Sequence, residues 1–149
     1  KSIVQSVVDD FNNIYIEKRG IKIQLDIDKL FKEFKILGIE NRIEQILANL
    51  LDNAISFSKD NQEITVQILK DTNKNIVLKV IDKGKGFMEK KLDKIFDRFY
   101  SNRPDKFGEH SGLGLNIVKN LVELHGGTIT ASNNHDQKGA KIEISFPKL

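Results

Sequence analysis

The spacing of apolar residues along this chain switches repeatedly between a helical and a strand period. That alternation limits the possible folds more than any other feature. Ile3, Val4, Val7, Val8, Phe11, Ile14 and Tyr15 recur at helical spacing, with Ser2 and Gln5 as a capping box and Gly20 as a stop signal. Ile21, Ile23, Leu25 and Ile27 then alternate with polar residues, as in a strand. Residues 34–37 make a short second strand before Gly38. Asn41 and Glu44 suit the first turn of a stronger helix, whose apolar face is Ile43, Ile46, Leu47, Leu50, Leu51 and Ala54. Strands over 63–70 and 76–82 flank the polar turn at 71–75, which predicts a hairpin. Residues 98–112, with Pro104, Gly108, Gly112 and many charges, read as a long mobile loop of the kind kept for function. A helix over 113–125 stops at Gly126-Gly127, and strands over 128–132 and 141–146 close the chain as a second hairpin.

This order predicts an α+β fold, a two-layer sandwich in which a mixed β-sheet is covered on one face by about three helices. The alternation within the strands leaves the other sheet face partly solvated. The 149 residues fit one domain, and a chain that opens on Lys1 reads as a piece of a longer protein. Twenty-four Lys and Arg against 21 Asp and Glu give a net charge of +3, too small and too mixed to point to nucleic acid or a membrane surface. The absence of cysteine excludes disulfides, cysteine zinc sites and thiol catalysis. No apolar run approaches the roughly 20 residues of a membrane helix.

Three places carry residue types suited to chemistry. Asn49 and Asn53 are four apart on the strong helix and share a face, which Phe57 extends by another turn. An amide oxygen is a hard neutral ligand of the kind Mg²⁺ accepts. The alternative is an ordinary polar helix face. Asp82-Lys83-Gly84-Lys85-Gly86 ends an apolar strand. A carboxylate there can accept hydrogen bonds from an amine-bearing ring that the glycines admit, or the segment is a plain turn. Gly108-Glu109-His110-Ser111-Gly112-Leu113-Gly114-Leu115 runs into a helix, where backbone N–H groups can hold an anion. It is neither the Rossmann fingerprint nor a Walker A loop.

In order, the chain contains NLLDNA, DKGKGF, IFDRFY and GEHSGLGLNIVKNLVELHGG. This combination resembles the N, G1, F and G2 boxes of the catalytic and ATP-binding domain of two-component sensor histidine kinases, in the Bergerat-fold ATPase superfamily. The resemblance covers nearly the whole chain. It implies that ATP and Mg²⁺ are bound, with Asn53 on the metal and Asn49 lining the phosphates. Phe57 would stack on adenine, Asp82 would accept the adenine amine, and Gly84 and Gly86 would admit the ring. Phe96 and Phe99 would pack at the base of a lid hinged by Gly108, Gly112 and Gly114. Ser111, Leu113 and Leu115 belong to the same nucleotide-binding segment. Arg98, Arg103, Lys106 and His110 are lid-region cations placed to neutralise the γ-phosphate, although Asp97, Asp105 and Glu109 also suit a solvated loop.

Three departures stand out. Ser56 occupies a place where the family often has Lys or Arg, which removes a phosphate contact. Ala140 occupies a place where Thr is common, which removes a hydroxyl from the adenine pocket. The G2 box reads GEHSGLG rather than GGTGLG. Asn49 also chooses between branches of the superfamily. The gyrase-like, chaperone-like and MutL-like hydrolases carry a Glu there to activate water, and an amide cannot take that proton. The resemblance therefore implies donation of the γ-phosphoryl group to a histidine on separate dimerisation helices, with a response regulator downstream. A conformational ATPase and a silent nucleotide-sensing module are the alternatives. His110, His125 and His135 lie outside any helix of the phosphorylated type. The resemblance further implies a monomeric fragment without direct membrane contact, cytoplasmic, from a parent anchored in the bacterial inner membrane.

Overall fold

The computed structural model describes residues 3–27, 40–58, 60–73, 75–83, 114–133 and 139–147. Among these residues, three helices and five strands follow in the order α1 (Ile3–Arg19), β1 (Lys22–Ile27), α2 (Glu40–Phe57), β2 (Glu63–Lys70), β3 (Ile76–Ile81), α3 (Gly114–Leu124), β4 (Thr128–Asn133) and β5 (Ala140–Phe146). The expected α+β sandwich is what forms. The extra strand expected at 34–37 and the loop at 98–112 lie outside the described residues, as does Ser2 of the capping box. Gln5 donates to Asp9 at 2.8 Å within the helix.

The strands form one sheet in the order β1-β2-β3-β5-β4. β1 runs parallel to β2, and every other neighbouring pair is antiparallel. Both expected hairpins are present. Period-two alternation sends Ile64, Val66 and Ile68 of β2 and Ile142, Ile144 and Phe146 of β5 into the core. There they meet Val4, Val7 and Val8 of α1, Leu47, Leu50 and Leu51 of α2, and Val118 and Val122 of α3. All three helices thus cover one sheet face. The other carries a cross-strand row, Asp26, Gln67, Lys79, Glu143 and Thr130, set by the register. Within it Gln67 donates to Asp26 at 3.3 Å and Lys79 pairs with Glu143 at 3.6 Å. Such partly solvated contacts stabilise little and mainly hold register.

The turns are fixed chemically. Gly20 ends α1 at φ +66°, with Gly20 N–H donating to Ile16 O and Ile21 N–H to Tyr15 O. Asp71 closes the β2–β3 hairpin by accepting the backbone N–H groups of Asn73 and Asn75 on one carboxylate oxygen, both at 2.9 Å. Asn12 guards the sheet edge. Its amide accepts the Ile23 N–H at 2.8 Å and donates to the Ile23 carbonyl at 3.0 Å, satisfying β1 on the side where no strand pairs among the described residues.

Candidate functional site

α2 packs against β3 and against α3. The sequence candidates that fall among the described residues lie on three segments: the last turns of α2, the residues just past β3, and the start of α3. Asn53 is only 3% exposed, so it is no part of a solvated polar face, and Asn49 one turn earlier is half-buried. Glu44 and Gln45, the nearest described polar side chains upstream, are exposed. Glu44 therefore faces solvent and does not take the place of Asn49. Phe57 is the last residue of α2.

Asp82 directly follows β3 and is 4% exposed. Its backbone N–H donates to the Ala140 carbonyl at 2.9 Å, and the Ala140 N–H donates to Asp82 Oδ1 at 3.2 Å. These two bonds tie the carboxylate to the first residue of β5. A buried carboxylate is costly unless hydrogen bonds hold it, and the Ala140 N–H supplies one. Ala140 lacks a hydroxyl, but its backbone supplies the donor that orients Asp82. Gly139, at φ +139°, lets the chain enter β5 there.

Ser56 has a role internal to α2. It is buried, and its hydroxyl donates to the Asn53 carbonyl at 2.7 Å. The short side chain folds back onto α2 rather than reaching outward as a Lys would. Gly114 opens α3, and Leu115 is buried in the core. His125 sits in the turn after α3; its Nε2 is buried and has no hydrogen-bond partner among the described residues. Gly84, Gly86, Phe96, Arg98, Phe99, Arg103, Lys106, Gly108, His110, Ser111, Gly112, Leu113 and His135 lie outside the described residues.

Among the described residues no group of three or more His, Asp or Glu side chains could hold a metal ion. Asn53 offers one neutral oxygen donor. That suits Mg²⁺, which keeps its waters and is commonly bound through one or two protein ligands plus substrate phosphates. Among the same residues, no helix is long and apolar enough to cross a membrane.

The chain is 36% identical over 155 residues to the sensor protein ChvG of Agrobacterium fabrum, covering 97% of this chain but only 26% of ChvG. Its fold is similar to the catalytic domain of the histidine kinase ThkA, with a TM-score of 0.81, 26% identity, and coverage of 98% of this chain and 90% of that one. It is also similar to full-length ShkA solved in complex with AMPPNP, with a TM-score of 0.80, 25% identity, and coverage of 97% of this chain and 29% of that one. Residues 38–149 match the model of the histidine kinase-, DNA gyrase B- and HSP90-like ATPases. The chain belongs to that ATPase family.

Proposed function

We propose that this chain is the ATP-binding catalytic module of a sensor histidine kinase. Membership of an ATPase family makes ATP the nucleotide, and the likeness to ChvG over 97% of the chain favours the sensor-kinase branch. The observation that carries the reading is the buried Asp82 carboxylate at the end of β3, held by the Ala140 backbone N–H. It would accept the adenine amine, an interaction guanine cannot offer because it presents a carbonyl there. Phe57 would cover the ring, and Asn49 and Asn53 would face the phosphates. Asn53 would hold Mg²⁺, which when bound offsets phosphate charge. The lid glycines and cations would close over the γ-phosphate.

Transfer to histidine needs little from this chain except position and charge. An imidazole nitrogen of the acceptor domain attacks the γ-phosphorus. The bond to the bridging oxygen breaks and ADP leaves with the electron pair. The imidazole proton passes to a base on the acceptor domain. Asn49, an amide, cannot activate water in competition. The acceptor histidine would lie on dimerisation helices of a longer parent protein, of which this chain is one domain. A response regulator would then take the phosphoryl group. The parent would be membrane-anchored, with this domain in the cytoplasm.

Two measurements test this. Calorimetry should show Mg²⁺-dependent binding of ATP in preference to GTP, with the Mg²⁺ dependence lost in Asn53→Ala. Radiolabelled phosphate should move from ATP to a separately supplied histidine domain of the parent. Steady hydrolysis above about one turnover per minute, a barrier near 20 kcal/mol, with no transfer would instead assign a conformational ATPase.

A further inference from the structure

The nucleotide-facing end of α2 is held by a residue from another helix. A helix ends in carbonyls that no intrahelical N–H reaches, and in the negative pole of its dipole. A cation there is favourable, yet α2 has no basic residue in its last turn. Arg19, the last residue of α1, supplies one. Its Nη1 donates to the Ile55 carbonyl at 2.9 Å and its Nη2 to the Ser58 carbonyl at 2.6 Å. Its Nε donates to Asp60 at 2.7 Å, and its own carbonyl accepts the Asn61 N–H at 2.8 Å.

Two hydroxyls act at the same turn. Ser56 donates to the Asn53 carbonyl and Ser58 to the Ala54 carbonyl, at 2.7 and 2.8 Å. The carbonyls of Asn53, Ala54, Ile55 and Ser58 therefore all have side-chain donors, two of them from one guanidinium fork. The contributions are unequal. Asp60 is 66% exposed, so its ion pair with Arg19 is a weak surface contact. The guanidinium side chain is only 18% exposed, and its bonds to the two carbonyls are charge-assisted in restricted water.

We infer that Arg19 is a positioning residue for nucleotide binding: it fixes where α2 stops, and so the direction in which the turn holding Asn53 and Phe57 faces. With 3.6 residues per turn, a slip of one residue would rotate those positions by about 100°. Lys cannot replace it fully, because an ammonium is a point charge without the fork that spans two carbonyls. The inference rests on the reading that Asn53 faces Mg·ATP.

Calorimetry of Mg·ATP binding is compared for the wild-type chain, Arg19→Ala, Arg19→Lys and Asp60→Ala, at a temperature where circular dichroism shows each to be folded. Arg19→Ala should raise Kd about tenfold, as for loss of one charge-assisted contact. Arg19→Lys should fall between it and wild type, and Asp60→Ala should stay within about twofold. The preference for ATP over GTP, which reports Asp82, should survive in Arg19→Ala. A residue that only stabilised the fold would lower the melting temperature and leave the Kd of folded molecules unchanged; that result overturns the inference. If Arg19→Ala does not fold, Arg19→Lys decides: a Kd raised severalfold supports the inference and a wild-type Kd refutes it. Failure of the wild-type chain to bind Mg·ATP would remove the site reading and this inference together. Binding by wild type with matching Arg19 variants removes the inference alone.

Discussion

Replacing Asp82 by Asn exchanges one oxygen for an amide nitrogen at a position only 4% exposed. In the native chain Oδ1 accepts the Ala140 N–H at 3.2 Å. A carboxylate has acceptor sites on both oxygens, so it can serve that N–H and the adenine amine together. Asn keeps one acceptor oxygen and presents two donors in place of the other. Either the Ala140 N–H or the adenine amine must then face a donor. Losing a hydrogen bond to a charged acceptor in a buried site costs about 1.5–3 kcal/mol. That corresponds to a roughly 10- to 150-fold increase in the Kd for ATP. GTP should suffer less, because the new amide can donate to the guanine carbonyl, so the ratio of the two affinities narrows. Stability should move the other way, since removing a buried charge relieves its desolvation. Calorimetry with both nucleotides, alongside thermal melting, reads all three effects. A folded Asp82→Asn chain whose Kd for ATP stays within about twofold of wild type would refute the role given to Asp82.

Gly20→Ala places a Cβ against the Asn61 amide oxygen at a residue with φ +66°. An L-residue in that conformation costs about 1–2 kcal/mol, so Tm should fall by roughly 2–8 °C, and an unchanged Tm would show that the α1–β1 turn tolerates a side chain. Asp71 accepts the Asn75 backbone N–H, which together with the Asn73 N–H and the Asn75 side chain holds its carboxyl below the usual 3.8 despite partial desolvation. A lowered folded-state pKa gives stability that is present above 3.8 and lost as pH falls through the folded value. Asp71→Ala should therefore melt below wild type at neutral pH, and the gap should close in acid; a gap that does not depend on pH would mean the ionised carboxylate is not what closes the hairpin.

The local chemistry of the fold is legible in the sequence because it is periodic or conformationally exclusive. Spacing alone puts Ile46, Leu47, Leu50, Leu51 and Ala54 on one face, and all are buried. Gly20 and Gly126 read as helix stops, and both have positive φ. What spacing cannot supply is tertiary. Nothing in the pattern of β1 says that it pairs parallel to β2, because that choice follows from where α2 carries the chain. Asn49 and Asn53 suit a polar stripe as well as a ligand pair, and only packing distinguishes a 3% exposed Asn from a solvated one. The Asp82–Ala140 bond joins residues 58 apart, beyond any motif window.

Ser56 shows how a local reading can be right about a residue and incomplete about its surroundings. The sequence places a small hydroxyl where the family often has a cation, which implies one phosphate contact fewer. The structure turns that hydroxyl back onto the Asn53 carbonyl, so its role is internal to α2. A Lys at this position, in the last turn of the helix, would also have complemented the negative end of α2. That charge is not missing. It is delivered by Arg19 from the end of α1, with two bonds where a Lys would make a single point contact. If α2 faces the nucleotide as proposed, supplying the cation from α1 separates two tasks that one Lys would combine: ending the helix and meeting the phosphate. On the proposed function, the second task would fall to the lid-region cations. Nucleotide affinity in this chain should thus depend more on lid closure than in relatives that keep the Lys. Ser56→Lys is expected to bind Mg·ATP more tightly and to lose less affinity when Arg103 or Lys106 is neutralised. Equal losses in the wild-type and Ser56→Lys backgrounds, measured by calorimetry in a double-mutant cycle, would show that helix charge and lid charge act independently and that the two tasks are not divided in this way.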